Sequence, residues 1–283
     1  MSVDAAVTEL VAKALAEDLG DGDITTDATV PADARGRAKI VQKQPGVVFG
    51  LDAAAEAFRL TGAGDLDKLV VEGTWSEAMP RQVALVAGPA RALLAAERVA
   101  LNLLGHLSGI ATLTARFVES SRAEDGRAVI LDTRKTTPLL RSLEKAAVRA
   151  GGGQNHRMGL DDAILIKENH ITLAGGLTAA VESARAAHPD TPVEVECRNA
   201  GEVEAALATG ASRLLLDNMD LDGLRAAVAA RDASGSSPVT LEASGGVSLE
   251  TVGAISATGV DFISVGALTH SAPVLDLSML LEA

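Results

Sequence analysis

The chain has 283 residues, a formal net charge of −13, and 47% hydrophobic against 22% charged residues, enough apolar material for one or two sizeable cores and incompatible with a disordered chain. Aromatic residues make up only 2%, with no Tyr and one Trp, so the cores are built from Leu, Val, Ile and Ala, and the acidic balance argues against nucleic acid as a partner. The single Cys197 excludes an internal disulfide and fits a reducing compartment; directly after Glu196 in a strand-like run, it reads as a small buried hydrophobe rather than a nucleophile.

The N-terminus, MSVDAAVTEL, lacks a cationic head before an apolar core, and no stretch approaches the ~18 uninterrupted apolar residues of a membrane span, so a soluble, cytoplasmic protein is expected. Ala5, Leu10, Val11 and Leu15 at helical spacing predict a first helix over 4–18, and DGDITTD reads as a turn. Short strands are predicted at 36–43, 47–50, 68–73 and 83–88, with LDAAAEAFRL as a helix between them. Strands and helices without strict alternation predict an α/β sandwich domain.

From residue 89 to 107 the sequence PARALLAAERVALNLLGHL is apolar around most of a helical circumference, with Arg98, Asn102 and His106 at i, i+4 and i+8 forming one polar stripe. Ser108 is placed to cap a second helix, SGIATLTARFVESS. The domain boundary is expected between the two, giving an N-terminal domain over 1–108 and a second over 109–267, with residues 268–283 packing back onto the first.

Beyond residue 127 the pattern becomes a regular alternation, with strands near 128–133, 163–167, 192–197, 213–217, 238–243 and 261–265 and helices between. Six parallel steps predict an incomplete (β/α) barrel, short of the usual eight. Neither an internal repeat nor a low-complexity segment is present.

The cations gather in residues 132–170. Seven Lys/Arg (Arg134, Lys135, Arg141, Lys145, Arg149, Arg157, Lys167) stand there against five Asp/Glu (Asp132, Glu144, Asp161, Asp162, Glu168) in an otherwise acidic chain, and such a reversal of sign points to an anionic ligand. AVILDTRK reads as a buried strand ending in Arg134-Lys135, and DAILIKENH as another ending in Lys167. Between them LLRSLEKAAVRA is a helix with Leu140, Leu143, Ala147 and Ala150 on its apolar face, closed by Gly151-Gly152-Gly153, so the stretch reads as β-α-β. Carboxyl ends of parallel strands are where such folds bind ligands.

DTRKTTP, GGGQNHR, GLDDAILIKENH, VEVE, LLLDNM, EASGG and SVGALTHS, in this order, resemble the quinolinate phosphoribosyltransferase family, and the likeness runs from LAEDLGDGDITT to THSAPVLDLSM. Two departures stand out: Leu139 occupies a position that is usually Gly, and Met79-Pro80-Arg81-Gln82 replaces a Gly-containing turn. The resemblance implies an N-terminal sandwich followed by an incomplete barrel. It also implies transfer of phosphoribosyl from phosphoribosyl pyrophosphate to quinolinate with loss of CO2, yielding nicotinate mononucleotide and pyrophosphate.

On that resemblance Arg134, Arg157 and Lys167 hold the two carboxylates of quinolinate, with His156 beside them; planar Arg donors suit a small dianion. Glu196 and Asp217, carboxylates at the ends of apolar strands, suit the ribose hydroxyls and a Mg²⁺ ion, bound directly or through water. Glu194 shares a face with Glu196 and is either a supporting residue or a structural ion-pair partner. The small-residue loops ASGGVS and SVGALTHS follow the last two strands, where barrels commonly bind phosphate, and they offer Ser244, Gly245, Gly246, Gly266 and His270 to the 5′-phosphate. Lys135 and Asn169 would face the pyrophosphate, making Lys135, Glu196 and Asp217 the expected catalytic groups. The family's ERVALN segment implies a homodimer, or a higher oligomer built from it, in which Arg98 completes the partner's site. Two competing readings are a Schiff-base enzyme using Lys167, as in an aldolase, and a phospho-ligand binding protein without activity.

Overall fold

The computed structural model describes residues 5–235 and 239–282; the expected helix start at residue 4, the strand start at 238 and the last residue of the expected tail lie outside the described residues. The chain runs α1 (Ala5–Leu19), α2 (Ile24–Thr29), β1 (Arg35–Gln42), β2 (Gly46–Val47), α3 (Leu51–Leu60), β3 (Leu66–Lys68), β4 (Trp75–Ser76), β5 (Arg81–Pro89) and α4 (Ala90–Ser121). Then come β6 (Val129–Leu131), α5 (Arg141–Ala150), β7 (Ile164–Ile166), α6 (Glu168–Ala174), α7 (Leu177–Ala187), β8 (Val193–Cys197), α8 (Ala200–Thr209) and β9 (Arg213–Asp217). It finishes with α9 (Leu221–Ala233), β10 (Thr240–Ser244), α10 (Val252–Ser256), β11 (Phe262–Ser264), α11 (Ala267–His270) and β12 (Leu277–Glu282). Two compact units result: one holds the residues up to Ala115, Thr137–Gly152 and Ser271 onward, the other Arg116–Thr136 and Gly153–His270. The expected boundary at 108/109 therefore sits before the break at 115/116, and the first unit also takes α5.

In the first unit an antiparallel sheet, ordered β12-β1-β5-β3, forms one layer. Period-two burial along β1 turns Ala38 and Ile40 inward, and with Val83 and Val86 of β5 they pack against Val11 and Leu15 of α1, Phe58 of α3, and Leu93 and Leu104 of α4. Each Val, Leu, Ile or Phe side chain among these that leaves water completely contributes about 1.5–3 kcal/mol.

Local chemistry explains where this unit departs from expectation. DGDITTD is a helix start, not a turn, because the Asp23 carboxylate accepts the Thr26 N–H at 3.0 Å and caps α2. The strand predicted at 68–73 stops at Lys68, and Glu72 instead accepts the Gly50 and Leu51 N–H groups at 2.6 and 2.8 Å, closing the first turn of α3. Ser108 caps nothing: α4 passes straight through it, and its buried hydroxyl bonds the N–H and C=O of Phe49 at 3.0 and 3.1 Å. The glycines flanking it permit close approach, since a Cβ on Gly109 would lie 2.0 Å from the Pro273 carbonyl oxygen. On α5 the buried face is Glu144, Lys145, Ala147 and Val148 rather than the leucine stripe; the Glu144 carboxylate meets His106 Nε2 of α4 at 2.8 Å and the Thr137 N–H at 3.1 Å.

The second unit is a six-stranded, all-parallel sheet ordered β6-β11-β10-β9-β8-β7, the incomplete (β/α) barrel. Its strands are buried nearly end to end, as parallel strands covered on both faces are. β6 and β7 are its two edges rather than neighbours, so the expected β-α-β unit around α5 does not form. Instead residues 154–156 run along β6, with a parallel bridge between Leu131 and Gln154. Buried Asp132 holds that segment by accepting the His156 N–H at 2.9 Å.

Candidate active site

Strand register arranges the polar side chains in levels. Glu194 pairs with Arg213, which pairs with Thr240; one step up, Glu196, Leu215 and Glu242 share a level; the next holds Asp217, Ser244 and Ser264 at the carboxyl ends. Above them opens a cavity of about 340 Å³, lined by Arg134, Lys135, His156, Arg157, Lys167, Glu196, Asp217 and Ser244 from the expected set. Thr133, Leu165, Leu215, Glu242 and Ser264 complete its wall.

The remaining expected residues do not line this cavity. Gly266 touches two groups of interest, because a Cβ there would lie 3.1 Å from His270 Nε2 and 3.2 Å from Lys135 Cδ. Thr269 ties the same loop to Lys135 by donating to its carbonyl oxygen at 2.8 Å. Gly245 (φ 96°) lies against the Asn218 amide, while Gly246 (φ 59°) has open space where its side chain would be. Asn169 is exposed on α6, and Arg98 is exposed on α4 in the first unit.

The cavity is preloaded with positive charge. Burial, reinforced by the charge of Arg134, pushes the Arg157 guanidinium below its ordinary value, although Glu194 and Asp162 oppose this. Two guanidiniums held close enough to repel each other create a place for an anion of more than one charge. Arg157 is further fixed by donating to the Ala163 carbonyl at 3.0 Å. Lys167 leans the other way, 3.1 Å from Glu196, so the two halves of the wall carry opposite sign.

Beneath the cavity lies a cluster of which the sequence reading names His156 and Glu194, the latter as a potential ion-pair partner, but not Glu242 or Arg213. His156 Nε2 stands 3.0 Å from Glu194 and 3.5 Å from Glu242, and Glu242 also meets Arg213 at 3.1 Å and the Ser264 hydroxyl. Arg213 in turn stacks on the Phe262 ring, 4.1 Å from its centroid. Burial, then the neighbouring Glu194 charge, push the Glu242 carboxyl up to about 7 despite His156, Ser264 and Arg213. Burial by itself would lower the His156 ring, but the Glu194 hydrogen bond and the Glu242 charge outweigh it and raise the value. The Arg157 N–H meanwhile donates to His156 Nδ1 at 2.7 Å and occupies the nitrogen that would take the second proton.

His156, Glu194 and Glu242 also lie within 4.8 Å of one another through potential metal-ligand atoms. Arg213 already supplies compensating charge there, so the trio reads as a buried ion cluster. Glu196 and Asp217, hard oxygen donors facing one cavity from adjacent strands, fit a divalent cation better. The Cys197 thiol, buried and with a value pushed up to about 12, takes no part.

A family model for the C-terminal domain of quinolinate phosphoribosyl transferase matches residues 110–280, and one for the N-terminal domain matches residues 23–108. The chain belongs to the quinolinate phosphoribosyltransferase family. Among relatives in that family, the nicotinate-nucleotide pyrophosphorylase [carboxylating] of Mycobacterium leprae is 43% identical over 279 residues, covering 97% of this chain and 96% of its own. A probable enzyme of the same name from Synechocystis is 46% identical over 268 residues, covering 94% and 89%. The solved nicotinate-nucleotide pyrophosphorylase of Francisella tularensis superposes with a TM-score of 0.91 at 38% identity over 98% of this chain and 96% of its own.

Proposed function

We infer that this chain transfers the phosphoribosyl group of phosphoribosyl pyrophosphate to quinolinate and removes one carboxylate as CO2, forming nicotinate mononucleotide and pyrophosphate in NAD biosynthesis. The observation that carries this reading is one cavity in which Arg134, crowded against Arg157, and Lys167 stand together with the carboxylates Glu196 and Asp217. Cations suit the quinolinate dianion; carboxylates suit ribose hydroxyls and a developing oxocarbenium charge at C1. The pyridine nitrogen attacks C1 as pyrophosphate leaves toward Lys135. Once alkylated, the pyridinium stabilises the electron pair left at C2 as the C2–carboxylate bond breaks and CO2 departs; C2 then takes up a proton from solvent, and no covalent nucleophile is needed.

Glu196 and Asp217 would hold Mg²⁺, which when bound neutralises charge on the pyrophosphate. Ser244, Gly245, Gly246, Gly266 and His270 belong to the 5′-phosphate, and Lys135 and Asn169 to the pyrophosphate, on the strength of their places at or just beyond the carboxyl ends of β10, β11, β6 and β7, Asn169 and His270 on the short helices α6 and α11 that follow. The test is incubation with quinolinate, phosphoribosyl pyrophosphate and Mg²⁺, with nicotinate mononucleotide and CO2 released one to one. Equal use of nicotinate, which lacks the second carboxylate, would overturn it.

We further infer a homodimer, or a higher oligomer built from it, in which Arg98 enters the partner's site. Supporting this, Arg98 and Asn102 are exposed on α4, and the Arg98 guanidinium makes no hydrogen bond or ion pair among the described residues. Mixed Arg98→Ala and Lys167→Ala chains should regain roughly a quarter of wild-type activity if they associate at random with independent sites. Proven heterodimers without recovery would sink the arrangement. No described helix is long and apolar enough to cross a membrane, and the lone Cys197 thiol supports a cytoplasmic setting.

A further inference from the structure

Asn218 follows Asp217 at the end of β9 and adopts φ 53°, a left-handed conformation that asparagine tolerates better than most residues. Three contacts leave from it in three directions. Its N–H donates to the Ser244 carbonyl at 2.8 Å, crossing to the end of β10. Its amide Nδ2 donates to Asp217 Oδ2 at 3.0 Å. Its Oδ1 lies over Gly245, where an added Cβ would come within 2.2 Å of it. The side chain is exposed, so core packing does not account for this arrangement.

We propose that Asn218 is a positioning residue that fixes the Asp217 carboxylate relative to the Ser244–Gly246 loop, setting the span over which the enzyme recognises a ribose 5-phosphate. This rests on the assignment of Asp217 to the ribose hydroxyls and of the loop to the 5′-phosphate. The substrate's own covalent frame fixes the distance between those two groups, so the protein must hold a matching distance between a strand-end carboxylate and a neighbouring loop. A neutral amide does this without cancelling the charge on Asp217. The backbone N–H continues the ladder to β10 while the side-chain amide turns back to Asp217, so one residue ties the carboxylate to the next strand. Glycine at 218 would keep the backbone and lose both side-chain contacts.

The experiment compares wild type with Asn218→Gly in the whole chain with Mg²⁺. Steady-state kinetics give the KM for phosphoribosyl pyrophosphate, and calorimetry gives quinolinate affinity and the binding of ribose 5-phosphate without chemistry. In Asn218→Gly the phosphoribosyl pyrophosphate KM and the ribose 5-phosphate Kd should rise about 10- to 100-fold, the scale of a lost hydrogen bond to a charged group. Quinolinate affinity should stay within about twofold, because its cations lie on other loops. Unchanged ribose 5-phosphate binding in Asn218→Gly overturns the proposal, as do equal losses for both substrates. A wild-type chain that binds ribose 5-phosphate yet makes no nicotinate mononucleotide would sink the proposed function alone.

Discussion

Glu242 and Arg213 form an ion pair of 3.1 Å inside the barrel, between a carboxylate with no exposed surface and a guanidinium that is partly open at the strand starts. Removing the cation leaves a buried carboxylate with one compensating charge fewer, still beside Glu194. Arg213→Met should therefore cost on the order of 3 kcal/mol at pH 8, and less at pH 6, where Glu242 can take up a proton. Urea unfolding at both pH values measures this, and a pH-independent cost would contradict the pairing.

The carboxyl of Glu242 titrates in the folded chain near 7, above its ordinary 4.5. A raised value means that its favourable contribution is complete below the unfolded value and is lost as pH rises through about 7. Glu242→Gln should accordingly gain on wild type as pH goes from 5 to 8. Parallel stability curves for the two proteins across that window would show that burial does not raise this group.

Arg134→Ala or Arg157→Ala should weaken quinolinate binding by about 2–4 kcal/mol, the scale of emptying one side of a desolvated charge pair. Binding of phosphoribosyl pyrophosphate should change less. Asp217→Asn should reverse that preference, and equal losses for both ligands in all three variants would indicate general misfolding instead.

Leu139 is 86% exposed and sits at φ 69°, so its side chain packs on little while its backbone is strained. Relief of about 1–2 kcal/mol is offset by about 0.5–1 kcal/mol of extra glycine entropy. Leu139→Gly should raise unfolding free energy by about 0.5–1 kcal/mol. A loss of stability would mean that Leu139 buries against something in the assembled protein.

Ser108→Ala strips the buried partner from the Phe49 N–H and should cost about 1–3 kcal/mol. A helix cap at this position would instead tolerate Asn or Asp, and both should be worse than Ala here because the site is fully enclosed.

Strand positions in the barrel were legible because parallel strands read as short apolar runs between helices; expected and observed spans of β8 and β9 nearly coincide. The mouth residues were legible for the same reason, since strand ends are punctuated by charge. What stayed hidden depends on partners far away in sequence. Glu242 sits in the middle of TLEAS, and nothing local says that it meets His156 and Arg213; the available signal was a carboxylate facing inward in an otherwise apolar strand. Period alone chose the wrong face of α5, because Glu144 is buried through His106 and Thr137 rather than through apolarity. Strand β12 was expected only as a returning tail, since LSMLLE becomes a strand by pairing with β1.

That pairing has a consequence for how the polypeptide is made. Lys39 and Glu282 lie 243 residues apart, so during synthesis β1 emerges long before the strand that will cover its outer side. A naked strand edge in a crowded cell invites pairing with other nascent chains. Arg35, Arg37 and Lys39 alternate along β1 on the face away from the core, and like-charged side chains at every second position discourage one β1 from zipping onto another. Neutralising all three should leave the finished enzyme folded yet lower its soluble yield, a defect visible on the ribosome's timescale and invisible in the unfolding curve.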